Sequence, residues 1–515
     1  MKKKENAKSS IGIDLGTTFS AAAIYESDGE TKVIPNLDGE TLTPSVVNLH
    51  DETKPVVGAG ALNQIALHPE STARLFKRTI GKFDATGAEI PAFVHPRSGK
   101  AYSPVALAAF VLAFIVKGVE AALGRKVDGA VISVPAYFDA PAREATRRAG
   151  EMAGLKVLAI INEPTAAALT FGLDKGATGK SLVYDLGGGT FDCTLLDIQN
   201  GEFNVLATDG DRNTGGSDID NLLMNKVAAA MKDQHRVEIS PEKDLVLWYE
   251  IMMKCEVAKK VLSQAGSASF MVSAEGKRLI FEISRADFDA LIAPIVEKTR
   301  TIVDRALTAA SLKPADIKDV VLVGGSSRIP LVREMLANRF GRPARTDINP
   351  DEAIARGAAI FAACKAADAG LAVVDSTGRP VLPPPIEVND VTAHPLGCLA
   401  LVNGVERNCV IIPANTTLPA TKVESFGLSH PHQAAAKVTI TSGPHHAMPA
   451  ECTQYGDIVL QNLSPRPCDQ EDIEVKYGFT ADGTLDVAIT DKVSGKTTSE
   501  VKRGLNGLVG GINKS

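Results

Sequence analysis

Residues 11–18 read IGIDLGTT, and residues 182–190, much later in the chain, read LVYDLGGGT. Each stretch begins with an apolar run that suits a buried strand. Each then passes through Asp-Leu-Gly to a threonine, after which polar and apolar residues alternate. This pattern predicts a β-hairpin in each stretch, with glycine supplying the positive φ of a tight turn. The repetition indicates two similar halves.

These paired loops have the chemistry of a phosphate site. A turn of glycine and threonine leaves its backbone N–H groups unobstructed, so it can wrap an anion. An aspartate at the end of a strand can hold a hydrated Mg²⁺ ion. Two ordinary strand turns are the alternative, but the repetition favours two domains that clamp one nucleoside triphosphate between them.

The composition is typical of a globular protein. The 515 residues are 44% hydrophobic and 23% charged, a length that predicts two to four domains. A net charge of −6 and a pI near 5.9 give no reason to expect nucleic acid or an anionic membrane as partner. The apolar residues 105–116 are too few to span a bilayer and fit a buried helix. No signal-peptide pattern is seen, and the seven scattered cysteines form no CxxC pair, so we expect a reducing cytoplasm.

The chain divides into an α/β part, a linker and an all-β part. Residues 1–365 alternate strand-like and helix-like segments, with helical periodicity at residues 141–153, 249–262, 285–309 and 331–340. Residues 366–395 contain a triple proline and predict a stiff linker. Short alternating runs predict a β domain over residues 396–503, and the Gly- and Asn-rich residues 504–515 predict a disordered tail.

Five further motifs carry a family resemblance: VISVPAYF at 131–138, INEPTAAA at 161–168, CEVAKKVLS at 255–263, VLVGGSSRIP at 321–330 and INPDEA at 348–353. Together with the two loops they closely resemble the seventy-kilodalton heat-shock chaperones of the DnaK type. The resemblance covers residues 11–365 in order and continues more weakly into the β part.

This resemblance implies a fold, ligands and partners. The fold would be a two-lobed, actin-like α/β ATPase with a duplicated, ribonuclease H-like core, followed by an all-β sandwich that binds peptides. The ligands would be ATP or ADP with Mg²⁺. Unfolded or extended polypeptides would be the substrates, and a J-domain co-chaperone and a nucleotide exchange factor would be the protein partners.

The resemblance also implies residues that hold phosphate, metal and the attacking water. Lys77, in LFKRTIG, matches the family's essential lysine. The alternatives are a solvated surface lysine and, for Glu163, an ordinary helix-start turn. The expected catalytic residues are Lys77, Asp185, Glu163 and Thr190, and Asp192 is expected near the metal and water. Asp14 and Asp185 would hold Mg²⁺ through water, and the phosphates would contact Gly16, Thr17, Thr18, Phe19, Gly187, Gly188 and Gly189.

A second set would surround the adenosine. Glu256 and Lys259 would contact the ribose hydroxyls, and Lys260 would lie over adenine, where the family commonly has arginine. Because lysine cannot stack as a planar guanidinium does, adenine affinity is expected to differ. The alternative is a surface pair between Glu256 and Lys260 at i,i+4. The same set includes Ser263, Gly215, Gly216, Gly324, Gly325, Ser326, Arg328 and Asp351.

The resemblance weakens toward the C-terminal part. Val438 and Ile440 match a strand that lines the family's peptide pocket, although their alternation equally fits the core of the sandwich. Glu387 and Asn389 replace apolar linker residues that would dock against the ATPase, so we expect weak coupling. The chain ends where a helical lid would begin, so we expect fast peptide exchange.

Three functions fit these observations. The first, which the observations favour, is an ATP-dependent chaperone that binds extended apolar peptide segments and hydrolyses ATP slowly with Mg²⁺. The second is a nucleotide-gated interaction module without a full chaperone cycle. The third is a small-molecule kinase of actin-like architecture, which the C-terminal β part disfavours.

Overall fold

The computed structural model describes residues 9–27, 30–84, 88–175, 177–468, 470–480 and 484–502. Within them lie two large mixed β-sheets, each packed against helices around its own apolar core, and a C-terminal part made of β-sheets. We call residues 9–162 lobe I, residues 179–389 lobe II and residues 396–502 the β unit. The predicted tail at 504–515 lies outside the described residues.

Lobe I contains eleven strands and three α-helices among its described residues. Its strands are β1 Ser9–Asp14, β2 Phe19–Tyr25, β3 Thr31–Ile34, β4 Thr43–Pro44, β5 Val47–Asn48, β6 Val56–Val57, β7 Thr72–Ala73, β8 Phe93–Val94, β9 Ala101–Tyr102, β10 Val127–Val134 and β11 Val157–Asn162. Its helices are α1 Ala59–Gln64, α2 Pro104–Leu123 and α3 Ala140–Met152, and α4 Glu163–Lys175 leads out of it.

Lobe II and the β unit follow. Lobe II contains β12 Gly179–Leu186, β13 Phe191–Gln199, β14 Glu202–Asp211, α5 Gly216–His235, α6 Leu245–Leu262, β15 Ser267–Ala274, β16 Lys277–Ser284, α7 Arg285–Ala309, β17 Asp319–Val323, α8 Pro330–Phe340, α9 Ala353–Asp368 and β18 Glu387–Asn389. The β unit contains β19 Leu396–Val402, β20 Val405–Ile412, β21 Ala420–Phe426, β22 Ala435–Ser442, β23 Thr453–Gln461, β24 Ile473–Phe479, β25 Leu485–Asp491 and β26 Thr497–Lys502.

The two sheets share four strands in the same order and direction, β10-β1-β2-β3 in lobe I and β17-β12-β13-β14 in lobe II. In lobe I the order is β11-β10-β1-β2-β3, with β1 parallel to β10 and antiparallel to β2; β4 also pairs with β2. In lobe II the order is β17-β12-β13-β14-β18, with β12 parallel to β17 and antiparallel to β13. Both predicted hairpins are therefore confirmed, and the strands that carry Asp14 and Asp185 at or next to their last residue hold equivalent positions.

Two helices cross between the lobes. Helix α4 leaves lobe I and packs on the sheet of lobe II, whereas α9 leaves lobe II and packs on β1, β2 and β10 of lobe I. The two helices also pack against each other. Glycine is required at Gly12 because a Cβ there would lie 2.0 Å from the backbone nitrogen of Ala359 in α9. One apolar cluster consequently contains residues from both sheets and both helices.

Helix α2 is longer than the apolar run from which it was predicted. By length and composition alone its 20 residues could cross a membrane. In this fold its apolar side chains instead belong to the core of lobe I, where Leu107, Val111 and Leu112 are fully buried. The prediction of a buried helix is confirmed. The argument that the helix is too short to span a bilayer was wrong, because the helix has 20 residues.

Residues 366–395, predicted as a stiff linker, contain the end of a helix and a strand that pairs with lobe II. Helix α9 extends to Asp368, and the proline-rich residues after it lie against the lobes. Strand β18 then pairs with β14, so that Val388 lies opposite Phe203. Asn389 donates a hydrogen bond of 2.9 Å to the Asn204 side chain. The polar linker residues therefore do not prevent docking, because the contact uses backbone pairing and one amide partner.

The β unit contains two four-stranded antiparallel sheets, β20-β19-β22-β23 and β21-β24-β25-β26. Residues of both sheets form one apolar core cluster. Val438 and Ile440 belong to this core and are 6% and 0% exposed. The structure therefore favours the core interpretation of these two residues over an open pocket wall.

Candidate nucleotide site

A cavity of about 1020 Å³ lies between the two lobes. Most of the residues predicted for the site line it: Asp14, Gly16, Thr17, Thr18, Phe19, Lys77, Glu163, Asp185, Gly187, Gly188, Thr190, Glu256, Lys259, Lys260, Ser263, Gly324, Gly325, Ser326, Arg328 and Asp351. Gly189, Gly215, Gly216 and Asp192 are adjacent but stand behind this wall. Residues far apart in the chain thus converge on one space.

The two predicted phosphate loops face each other across the cavity. A Cβ at Gly188 would lie 2.3 Å from the Thr18 hydroxyl, and one at Gly189 would lie 2.4 Å from the Thr17 methyl. Neither glycine has a left-handed φ, so the predicted reason, a positive φ, is wrong. Glycine is needed here because the loops approach each other closely.

Neighbouring backbone braces the second loop. The N–H groups of Gly216 and Ser217 donate hydrogen bonds of 2.9 and 2.8 Å to the carbonyl oxygens of Gly187 and Gly188. The Ser326 hydroxyl donates a further bond of 3.1 Å to the Gly187 carbonyl. Because these bonds occupy the carbonyl groups, the loop is fixed from behind by the start of α5.

Lys77 is buried rather than a solvated surface lysine. It lies in a short 3₁₀ helix, Phe76–Thr79, and is 4% exposed. Its Nζ lies 2.5 Å from Oε1 of Glu163, the first residue of α4. Leu75, just before this helix, has a φ of 55°, which is uncommon for leucine and turns the chain. The structure thus places a buried ammonium–carboxylate pair in the cavity wall.

Three aspartates interact electrostatically with this pair. Desolvation first, then the Glu163 carboxylate, raises the pKa of Asp14 and of Asp192 to about 7. The same two causes raise the pKa of Asp185. Ser133 and the Tyr137 N–H, each 2.9 Å away, donate hydrogen bonds to Asp14 and Asp192. Four carboxyl groups with one lysine form an oxygen-rich, cation-deficient donor set, which fits Mg²⁺.

The end of the cavity predicted to hold adenosine shows one ion pair that was anticipated and one that was not. Lys260 Nζ lies 2.7 Å from Glu256 Oε1, as in the surface-pair alternative, and 5.6 Å from the Phe19 ring centroid. Lys259 Nζ lies 2.8 Å from Asp220 Oδ2 and donates to the Gly216 carbonyl. Lys259 therefore already has protein partners, whereas Lys260 is 62% exposed at its side chain.

Sequence reasoning missed several residues of the cavity wall. Arg74, Asp220, Trp248, Tyr249 and Met252 line it, and the last three precede Glu256 on α6. Trp248 and Met252 lie eight and four residues before Glu256, which is helical spacing for a shared face. That spacing could have predicted Trp248 and Met252 as cavity residues from the sequence. No sequence pattern pointed to Arg74 or Asp220.

The short segment at residues 390–395, which leads into the β unit, contacts lobe I next to this site. Asn162, which precedes Glu163, donates a hydrogen bond of 2.5 Å to the Asp390 carboxylate and contacts Arg143. His394 Nε2 lies 2.9 Å from the Tyr137 carbonyl, and Tyr137 also bonds Asp192. Only one or two residues thus separate the carboxylate cluster from this segment at the entrance to the β unit.

A family model described as Hsp70 protein matches residues 10–509, which is nearly the whole chain. The match includes both lobes, the linker and the β unit. It supports ATP binding with Mg²⁺, ATPase activity and a chaperone role in general terms.

Proposed function

The chain belongs to the Hsp70 family, and from that premise we propose that it is an ATP-dependent chaperone that binds extended apolar peptide segments. In this proposal the two lobes form an actin-like ATPase and the β unit is its peptide-binding sandwich. Slow ATP hydrolysis controls peptide exchange. A J-domain protein and a nucleotide exchange factor are its expected partners, and the seven free cysteines support a reducing cytoplasm as its compartment.

The Lys77–Glu163 pair carries this proposal. It lies in the wall of a cavity whose two loops can take phosphate oxygens from opposite sides. Phosphoryl transfer to water depends on positioning and charge stabilisation rather than covalent chemistry. Lys77 would offset charge on the terminal phosphate, Glu163 would hold Lys77 and orient the attacking water, and Thr190 would bind a phosphate oxygen.

The carboxylates have a separate task. Asp14 and Asp185 would hold Mg²⁺ through water, and the ion would neutralise charge on the phosphate oxygens. Ser133 keeps Asp14 oriented through its 2.9 Å hydrogen bond. Because the pKa of Asp14 is raised to about 7 by desolvation and by Glu163, this carboxyl would lose its proton when the cation arrives.

Single-turnover ATP hydrolysis with Lys77→Ala tests the proposal. We expect hydrolysis to be abolished while ATP binding is largely kept, because the lysine acts on the transition state more than on ground-state binding. The matched control is Lys82→Ala, since Lys82 follows in the same segment but does not line the cavity. Hydrolysis by the Lys77→Ala variant at the wild-type rate would contradict the assignment.

One observation favours the interaction module as the second candidate. Val438 and Ile440 are buried in the β-unit core, so peptide binding through them would require the core to open. Release of a fluorescent apolar peptide, compared in ATP and in ADP, separates the two functions. Peptide binding that ATP weakens supports the chaperone. No peptide binding together with intact hydrolysis supports the module.

A further inference from the structure

Arg78 connects the two lobes outside the cavity. It follows Lys77 in the short 3₁₀ helix whose Phe76 belongs to the lobe I core. Its Nε donates a hydrogen bond of 3.0 Å to the carbonyl oxygen of Gly189, in the second phosphate loop of lobe II. Arg78 does not line the cavity, so it has no direct access to a nucleotide bound there.

The guanidinium also bonds a carboxylate of lobe II. Nη1 and Nη2 of Arg78 donate to the two oxygens of Asp218 at 3.2 and 2.5 Å. Asp218 lies in the first turn of α5 and accepts a 2.8 Å hydrogen bond from the Gly215 N–H. One side chain of lobe I therefore holds both the Gly189 loop and the turn that braces it.

The geometry excludes a freely moving surface pair. The side chains of Arg78 and Asp218 are only 17% and 27% exposed. The fork of two parallel N–H···O bonds fixes the direction of the guanidinium, and its third bond ends on main chain rather than on another mobile side chain. Opening the cleft at this point would break all three bonds together.

We propose that Arg78 is a positioning residue that clasps the lobes together behind the phosphate loops and sets how fast nucleotide leaves the cavity. The inference rests on the proposed function, because it takes the cavity to be the nucleotide site. The clasp joins the Lys77 segment to the Gly187–Gly189 loop, so the two sides of the phosphate site close as one unit.

Stopped-flow release of a fluorescent ADP analogue from the full chain tests the clasp. With Arg78→Ala we expect release to be faster by about tenfold, the factor that 1.4 kcal/mol represents. Arg78→Lys keeps the charge but not the fork, so its rate should fall between those of the wild type and Arg78→Ala. Asp218→Asn keeps an acceptor for the Gly215 N–H and should reproduce most of the Arg78→Ala effect.

The double variant separates a clasp from two independent effects. Arg78→Ala combined with Asp218→Asn should release ADP little faster than Arg78→Ala alone, because both changes break the same contact. Arg305→Ala is the matched control: Arg305 makes a similar fork to Asp209, but both residues belong to lobe II. We expect its release rate to stay at the wild-type value.

Two results would overturn the inference. One is an ADP release rate within about twofold of the wild-type rate in both single variants, Arg78→Ala and Asp218→Asn, because the clasp predicts an increase of about tenfold. The other is an equal acceleration by Arg305→Ala, which would indicate general loosening. Because release is measured with ADP, it does not depend on hydrolysis. A wild-type chain that releases ADP but does not hydrolyse ATP would count against the proposed function alone.

Discussion

At the scale of single residues, Lys260 stands where the family resemblance implies an arginine, and the difference has a measurable consequence. Its ammonium is held by Glu256 at 2.7 Å, and its side chain lines the end of the cavity predicted to hold adenosine. A guanidinium could keep that i,i+4 ion pair and still present a flat face to a base, which an ammonium cannot do.

We therefore predict that Lys260→Arg binds ADP about two- to fivefold more tightly, which corresponds to about 0.5–1 kcal/mol for an exposed cation–π contact. Isothermal titration calorimetry measures the change. Lys254→Arg is the matched control, because Lys254 pairs with Glu250 on the same helix but does not line the cavity. Unchanged ADP affinity for Lys260→Arg would mean that this residue does not lie over the base.

At the scale of secondary-structure elements, strand β22 decides between two roles for its apolar residues. Ile440 is fully buried in the β-unit core, and Val438 on the same face is nearly so. A residue in such a position contributes to stability whether or not a peptide ever reaches it.

Ile440→Ala should lower the free energy of unfolding of the β unit by about 2–5 kcal/mol, because it removes buried methyl groups and leaves a cavity. Urea titration followed by hydrogen exchange of the β22 amides measures the loss. Val423→Ala, at a 46% exposed position of β21, should change stability by less than about 0.5 kcal/mol. A small stability change with lost peptide binding would instead assign Ile440 to a pocket.

A second element-scale feature is the segment at residues 371–386, which we call the strap. The Arg125 guanidinium of lobe I donates hydrogen bonds to the carbonyl oxygens of Ser376 and Asp375. The Tyr25 hydroxyl donates to the carbonyl of Leu382 at 3.1 Å. The strap thus lies along lobe I and leads directly into β18 on lobe II.

Arg125→Ala should therefore speed amide exchange within the strap by about tenfold, since two charge-assisted hydrogen bonds to its backbone are lost. Hydrogen–deuterium exchange with mass spectrometry measures the exchange rate in peptides from residues 371–386. Arg97→Ala serves as control, because Arg97 bonds the carbonyl of His50 elsewhere on lobe I. Equal exchange in the wild type and in Arg125→Ala would show that apolar packing alone holds the strap.

At the scale of the whole molecule, a titratable group lies where the segment leading into the β unit docks against lobe I. His394 bonds the Tyr137 carbonyl, and desolvation lowers its pKa below the usual 6.5. The hydrogen bond to Tyr137 and then Asp139 oppose this shift, whereas Arg212 and Arg143 reinforce it. An undocked His394 would recover its ordinary pKa. Below about pH 6.5 the undocked form then binds more protons, so docking is complete at higher pH and weakens as the pH falls.

We predict that energy transfer between dyes on lobe I and the β unit decreases between about pH 7.5 and pH 5.5. His394→Gln keeps a donor for the Tyr137 carbonyl without a titrating ring, so its energy transfer should change less over this range. Desolvation raises the pKa of Asp390, so protonation of Asp390 favours docking as the pH falls, opposite to His394. Asp390 is present in both the wild type and His394→Gln, so the difference between their pH profiles reports His394. Identical pH profiles for the two proteins would rule out His394 as the titrating group.

The sequence alone determined the elements and much of the candidate site. The two loops at residues 11–18 and 182–190 gave both hairpins, because strand periodicity and turn composition are local properties. The helix predicted over residues 285–309 is α7, with identical ends. The family motifs gathered residues that the structure then brought to one cavity.

Only the tertiary structure decided how these pieces meet. Gly188 and Gly189 are needed for close approach to Thr18 and Thr17, which no local pattern reveals. The docking of Glu387–Asn389 as a strand depends on a free edge at β14. Likewise, the sequence around Arg78 predicts only a surface charge, and its contacts with Gly189 and Asp218 of lobe II are visible only in the folded chain. Contacts between residues distant in sequence arise from packing, and packing is a property of the whole chain rather than of any one segment.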